Sequence, residues 1–275
     1  MKRNEVVTSV IAGLILGVLV LATGSPLLGS ETASAQLPVA DVVTLMRNSH
    51  EKWSSVSLDA VTVWHVDGES QTVTMSVQIQ QPNQSRISIY QVDNKGNVLV
   101  DYLWVTDGKI IYEQNNLSKK YTEHPVPDFA KLPLDDLVKS ASVLGEPVII
   151  RHPMAMIMPS PLSDYLFPTG LSQRIGVYTL EKDDMLENRK SVVVNWRNNR
   201  NNNSDGGWAQ SRYWVDTDTG IILKAITYGE NNVVFEEMTI TNLTLDAGIP
   251  SNAYVFQPPL DYEFIPYAEF TAFGQ

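Results

Sequence analysis

The sequence predicts a mainly β chain with a few helices: an antiparallel sheet of ten or eleven strands on an exported body. Three observations carry this. Apolar residues alternate with polar ones through most of the chain, as in "TVTMSVQIQQP", where Val73, Met75, Val77 and Ile79 face one way and Thr72, Thr74, Ser76 and Gln78 the other. Turn residues fall between these runs at hairpin spacing. Helical periodicity is confined to two stretches.

At the N-terminus, Lys2 and Arg3 precede an uncharged run from Val6 to Ser30, and Ala33 and Ala35 offer a small-residue cleavage site in "TASAQ". Residues 1–35 therefore read as a signal peptide or an N-terminal anchor, the run being long enough to span a bilayer. Residues 36–275 read as a single domain outside the cytosol, whether periplasmic, cell-surface or secreted. "PVADVVTLMRNSHEKW" then places Val39, Val42, Val43, Met46 and Trp53 at helical spacing behind Pro38.

Strands follow at "RISIYQV", "NVLVDYLWVTDG", "KIIYEQNN", "KKYTE", "GVYTLEKDD", "KSVVVNWRNN", "SRYWVDT", "IILKAITYGE", "NVVFEEMTITNLTL" and "YVFQPP". The turns joining them include Asp107-Gly108 and Asp216 to Gly220. The second helix is expected in "PLDDLVKSASVLG", residues 133–145, with Gly145 as its C-cap. The Asn-rich stretch 197–208 reads as a long exposed loop.

Chemistry is narrowed by what the chain holds. It has no cysteine, so neither a disulfide nor an acylated thiol is available. Its formal net charge of −11 opposes nucleic acid and anionic membrane surface. His50, His65, His124 and His152 are scattered, and no nucleophile elbow or phosphate-cradling loop occurs. The expectation is a binding protein, not an enzyme, with no cofactor and no resident metal. "DTDTG" at Asp216 and Asp218 begins like a calcium loop but lacks the distal glutamate, so a hairpin turn explains it better.

"HPMAMIMP" raises the sharper question. His152, Met154, Met156 and Met158 are soft donors that copper would accept. Alternation on a strand would place them on one face, where methionine equally serves as packing or as an adaptable wall. Pro153, Pro159 and Pro161 bar a central strand, so an edge or lid segment is expected.

Ten strands at ~4.8 Å spacing make a sheet about 50 Å wide, which two helices cannot roof. The sheet must close, pair with a second sheet, or curl into a half barrel whose mouth the helices cover. "SSVSLDAVTVW", "QQPNQSR", "WVTDGKIIYEQNNLSKKY", "YWVDTDTGIILKAITYGENNVVFEEMTITNL" and "IPSNAYVFQPPLDYEFI", in that order, resemble the LolA/LolB superfamily of exported lipid-binding proteins, which includes the RseB/MucB sensor domains. The resemblance spans nearly all of 37–265. It implies a single strongly curved antiparallel half barrel with helices as lid, holding acyl chains of a lipid or lipoprotein in its hollow. It equally allows an RseB-like envelope-stress sensor that binds a membrane-protein partner. Gram-negative carriers place an arginine before the proline of the "P-N" motif, and this chain has Gln81 there. The expected ligand wall comprises Met154, Met156, Ile157, Met158, Trp104, Tyr112 and Trp214, in a monomer.

Overall fold

The computed structural model describes residues 37–66, 68–134, 150–198, 210–229 and 232–270. One sheet of twelve strands dominates it. The strands are β1 (Ser55–Val66), β2 (Glu69–Gln80), β3 (Gln84–Val92), β4 (Val98–Asp107), β5 (Ile110–Asn115), β6 (Lys120–Pro125), β7 (Val177–Leu186), β8 (Arg189–Arg197), β9 (Gln210–Asp216), β10 (Ile222–Tyr228), β11 (Val234–Leu245) and β12 (Glu263–Phe264). Their order is β12-β6-β5-β4-β3-β2-β1-β11-β10-β9-β8-β7. The sheet is open and curved, a half barrel, and every pairing is antiparallel except the short β12–β6 contact.

Two hairpin meanders are thus joined at β1 and β11, where Ala60 faces Ile240 and Thr62 faces Met238. Period-two alternation decides which face is dry. Val56, Leu58, Ala60, Val73, Met75, Val77, Ile79, Ile87 and Ile89 all point inward and are buried. The turns behave as their residues require. Gly108 (φ +94°) joins β4 to β5, with Asp107 Oδ1 accepting from the N–H groups of Lys109 and Ile110, each 2.8 Å away. Gly220 (φ +77°) makes the β9–β10 turn, and a Cβ there would sit 2.4 Å from the Leu45 carbonyl oxygen, so only glycine fits. Asp216 in that turn is wholly buried and accepts from Arg189, from Thr219 Oγ1 at 2.8 Å and from the Asp218 and Thr219 amides. Its carboxylate is thereby committed to an ion pair and a turn.

The first helix, α1 (Val39–Arg47), starts after Pro38, whose carbonyl accepts from the Asp41 and Val42 amides. Val42 and Met46 enter the core, and Thr169 Oγ1 donates to the Arg47 carbonyl at 2.9 Å. Two short helices follow in the crossover between the meanders, α2 (Pro153–Ile157) and α3 (Leu162–Leu166). The helix expected over 133–145 lies outside the described residues apart from its first two, as does most of the loop at 197–208.

Three differences from the sequence reading have clear causes. "HPMAMIMP" forms α2 instead of an edge strand. Pro153 suits the first helical position, where its missing N–H is no loss, and His152 Nδ1 caps the turn by accepting from the Met154 amide at 3.2 Å. "YVFQPP" is not a strand either. Residues 251–254 form a 3-10 turn and the chain then crosses the convex face as a strap, since Pro258 and Pro259 have no N–H for a ladder. Phe256 stacks there on Tyr112, ring centroids 4.9 Å apart and planes 12° apart. The strap ends in the unforeseen β12, which pairs Glu263 with Lys120 and Phe264 with Tyr121.

Candidate functional site

The register of β4, β5 and β6 lays one line of side chains across the concave face: Trp104 opposite Glu113, Thr106 opposite Ile111, Ile111 opposite His124. Alternate residues of neighbouring strands share a face, so Tyr102, Trp104, Ile111, Glu113 and His124 look into one hollow. Above them lie Phe129 from the 3-10 turn Asp128–Lys131, Met156, Ile157 and Met158 from α2 and its C-cap, Pro159, and Tyr267 from the C-terminal segment. They enclose a cavity of about 420 Å³ that opens to the outside. This falls within the range of small-molecule pockets.

The floor of this cavity carries a polar chain. The Tyr102 hydroxyl donates to Glu113 Oε2, and His124 Nε2 lies 2.8 Å from Glu113 Oε1. Both carboxylate oxygens are thus engaged, as a buried carboxylate requires. Burial, reinforced by the Glu113 charge, pushes the Tyr102 hydroxyl well above the ordinary tyrosine range, so it stays protonated and donating. The Tyr267 ring covers His124 with centroids 4.0 Å apart. Tyr267 and Met156 are about half exposed and form the mouth.

Of the expected wall residues, the structure brings Trp104, Met156, Ile157 and Met158 to this cavity. Met154 is fully buried on the other side of α2, beside a second hollow of about 390 Å³ that also meets His50, Gln81 and His152. Met154 and Met156 divide because residues two apart on a helix point about 200° apart, and Met158, at the extended C-cap, leaves the helical turn and lines the first cavity beside Met156. Gln81 sits at this junction, its amide nitrogen donating to the carbonyls of His50 (2.8 Å) and Trp53 (2.6 Å). Thus the Gln81 side chain, just before Pro82, ties the end of the N-terminal helical segment to the sheet.

Tyr112 and Trp214 lie on the convex face. Tyr112 is under Phe256, and Trp214 donates from Nε1 to Asp184 at 2.9 Å, flanked by Arg212 and Lys224 over its ring. His152 is stacked on Phe167, with centroids 4.3 Å apart and 4.9 Å from His50. Burial, helped by the neighbouring His50, lowers its pKa to about 3, so it is neutral.

Glu113, His124, Phe129 and Tyr267 are lining residues that the sequence does not single out for the site. A signal existed for the first: in "KIIYEQNN" Glu113 keeps the phase of Ile111, a charge in line with a core position. No local pattern brings Tyr267 to His124, because 142 residues of chain separate the strand from the segment that covers it.

No protein-family model matches the chain, and no curated protein matches it. Among solved structures it is similar to the Pseudomonas aeruginosa MucA/MucB complex (17% identity, 79% of this chain and 61% of that chain, TM-score 0.42). It is similar also to LprF from Mycobacterium bovis (12%, 77% and 96%, TM-score 0.40) and to the Mycobacterium tuberculosis lipoprotein LppX (9%, 78% and 97%, TM-score 0.41). The chain thus spans under two thirds of the MucB chain. The architecture itself, one open curved sheet lidded on its concave side, is the half barrel that the resemblance implied. No helix among the described residues is long and apolar enough to cross a membrane.

Proposed function

We propose that this protein is an exported, non-catalytic carrier that holds an acyl chain of a lipid or lipoprotein in the cavity between β4–β6 and α2, with residues 1–35 acting as its export leader or anchor. The single observation behind this reading is the cavity itself: an opening of about 420 Å³ walled by Trp104, Phe129, Met156, Ile157 and Met158. Each methylene that leaves water for such a wall contributes about 0.8 kcal/mol. Unbranched thioethers at the mouth can repack around chains of different shape.

The test uses the uncharged fluorescent probe N-phenylnaphthylamine, displaced by a monoacylglycerol. Met156 is half exposed, so Met156→Asp places a charge at the mouth with little effect on stability. Probe affinity should fall about tenfold or more. Unchanged affinity in that variant rejects this cavity as the acyl site.

A sensor that binds a partner's extended segment is the second reading. The outer edge of β7 pairs with no strand among the described residues, and an edge of this kind can accept an added strand. Co-purification of a membrane protein without lipid would favour it over the carrier.

A further inference from the structure

The cavity is not uniformly oily, and its polar floor is of one sign. Among the described residues that line it there is no lysine or arginine; the carboxylate is Glu113, 9% exposed, and the imidazole is His124. Among the described lining residues an anionic headgroup would find only His124 as a candidate cation, and the Nε2 of that ring is already engaged by Glu113 at 2.8 Å. A cation finds the reverse. The Glu113 carboxylate has lone pairs beyond the two occupied by Tyr102 and His124. The aromatic rings of Tyr102, Trp104, Phe129 and Tyr267 line the same cavity. Ring faces attract ammonium groups, most strongly when water is excluded, and tryptophan is the best of them.

The geometry points to selection by headgroup: we propose that this cavity prefers an amphiphile bearing an ammonium group, seated between Glu113 and the aromatic rings, with its alkyl chain running along Met156, Ile157 and Met158. This deepens the carrier reading and rests on it. The protein's overall negative charge works in the same direction, drawing cations toward it. The floor is also pre-organised: Glu113 is fixed by two hydrogen bonds before any ligand arrives, so binding does not have to order it.

The experiment titrates the full-length chain calorimetrically with three probes of equal chain length below their micelle concentrations: dodecyltrimethylammonium, dodecanol and dodecanoate. The ammonium probe should bind about tenfold or more tightly than the carboxylate, with the alcohol between them. Glu113→Gln should bring the ammonium probe down to the level of the alcohol while leaving the alcohol unchanged. Should that variant fail to fold, Tyr267→Ala, at a half-exposed ring, should weaken the ammonium probe severalfold more than it weakens the alcohol, and equal weakening of the two would overturn the preference. Equal or tighter binding of the carboxylate by the native chain overturns the headgroup preference and leaves the acyl site standing. Binding of none of the three defeats the carrier reading itself. A capped lysine peptide that matches the ammonium amphiphile would overturn the assignment in favour of a polypeptide ligand.

Discussion

On the β4–β6 side of the concave face, Glu113 borders an open cavity of about 420 Å³ and has a partner for each oxygen. On the β9–β11 side, Glu236 is sealed against Tyr165, whose hydroxyl lies 3.1 Å from Oε2, beside a void of only about 120 Å³; its Oε1 has no hydrogen-bond partner. The sheet is continuous between them. What differs is the cover. The second half lies beneath α3, with Leu162, Tyr165, Leu166 and Phe167 all buried, while Arg174 spans Trp196 and donates to the Tyr213 hydroxyl at 2.9 Å. Among the described residues the first half has the five residues of α2, one 3-10 turn and the Tyr267 segment. A curved sheet of this width becomes a core where side chains fill it and a pocket where they run out.

The comparison can be broken most forcefully on the filled side. Trp196→Ala should destabilise the fold by about 3–5 kcal/mol, the usual cost of emptying a buried tryptophan site, and leave probe affinity in the cavity unchanged. Urea denaturation measures the first and titration of the refolded variant the second. A loss of binding that tracks the loss of stability would mean the halves are not independent.

Next in size is the acid response of the seam between them, where His152 lies against Phe167. Its pKa is about 3 in the fold against 6.5 when unfolded. Between those values the unfolded chain takes up a proton that the folded chain refuses, so stability is complete above the window and falls as pH drops through it. The loss at pH 5 is about 2 kcal/mol. His152→Asn keeps a side-chain cap for α2 and should flatten the melting temperature across that range.

Smaller again is the effect of Glu236→Gln. Burial raises this carboxyl above its ordinary range of 4.5, so the folded chain holds the proton more tightly than the unfolded one. That contribution is present at low pH and is lost as pH rises through the folded value. The glutamine variant should therefore be more stable at neutral pH, because no buried charge has to form, and the difference should vanish in acid. Least of all, Trp214→Phe on the convex face should leave probe affinity within about twofold of the native chain, a change of less than 0.5 kcal/mol. A larger drop would place ligand on the outer face.

The sequence by itself determined most of the strands, "YVFQPP" and β12 excepted, because a two-residue period can be read without knowing what lies opposite. It determined the turns too, since Gly108 and Gly220 hold backbone angles that other residues resist. The dry face of a strand with clean alternation, such as β2, was legible for the same reason. The role of "HPMAMIMP" was not, for residues two apart satisfy a strand and residues four apart satisfy a helix, and Met154, Met156 and Met158 are both. Only the tertiary structure broke that tie, through the His152 cap and the burial of Met154 beneath a helix too short to be seen by periodicity. It alone decided which half of the sheet stays open, and which strand faces turn inward where "DYLWV" and "KIIY" are apolar on both sides. Those outcomes depend on contacts between segments more than a hundred residues apart, such as Tyr267 on His124, and no local pattern encodes them.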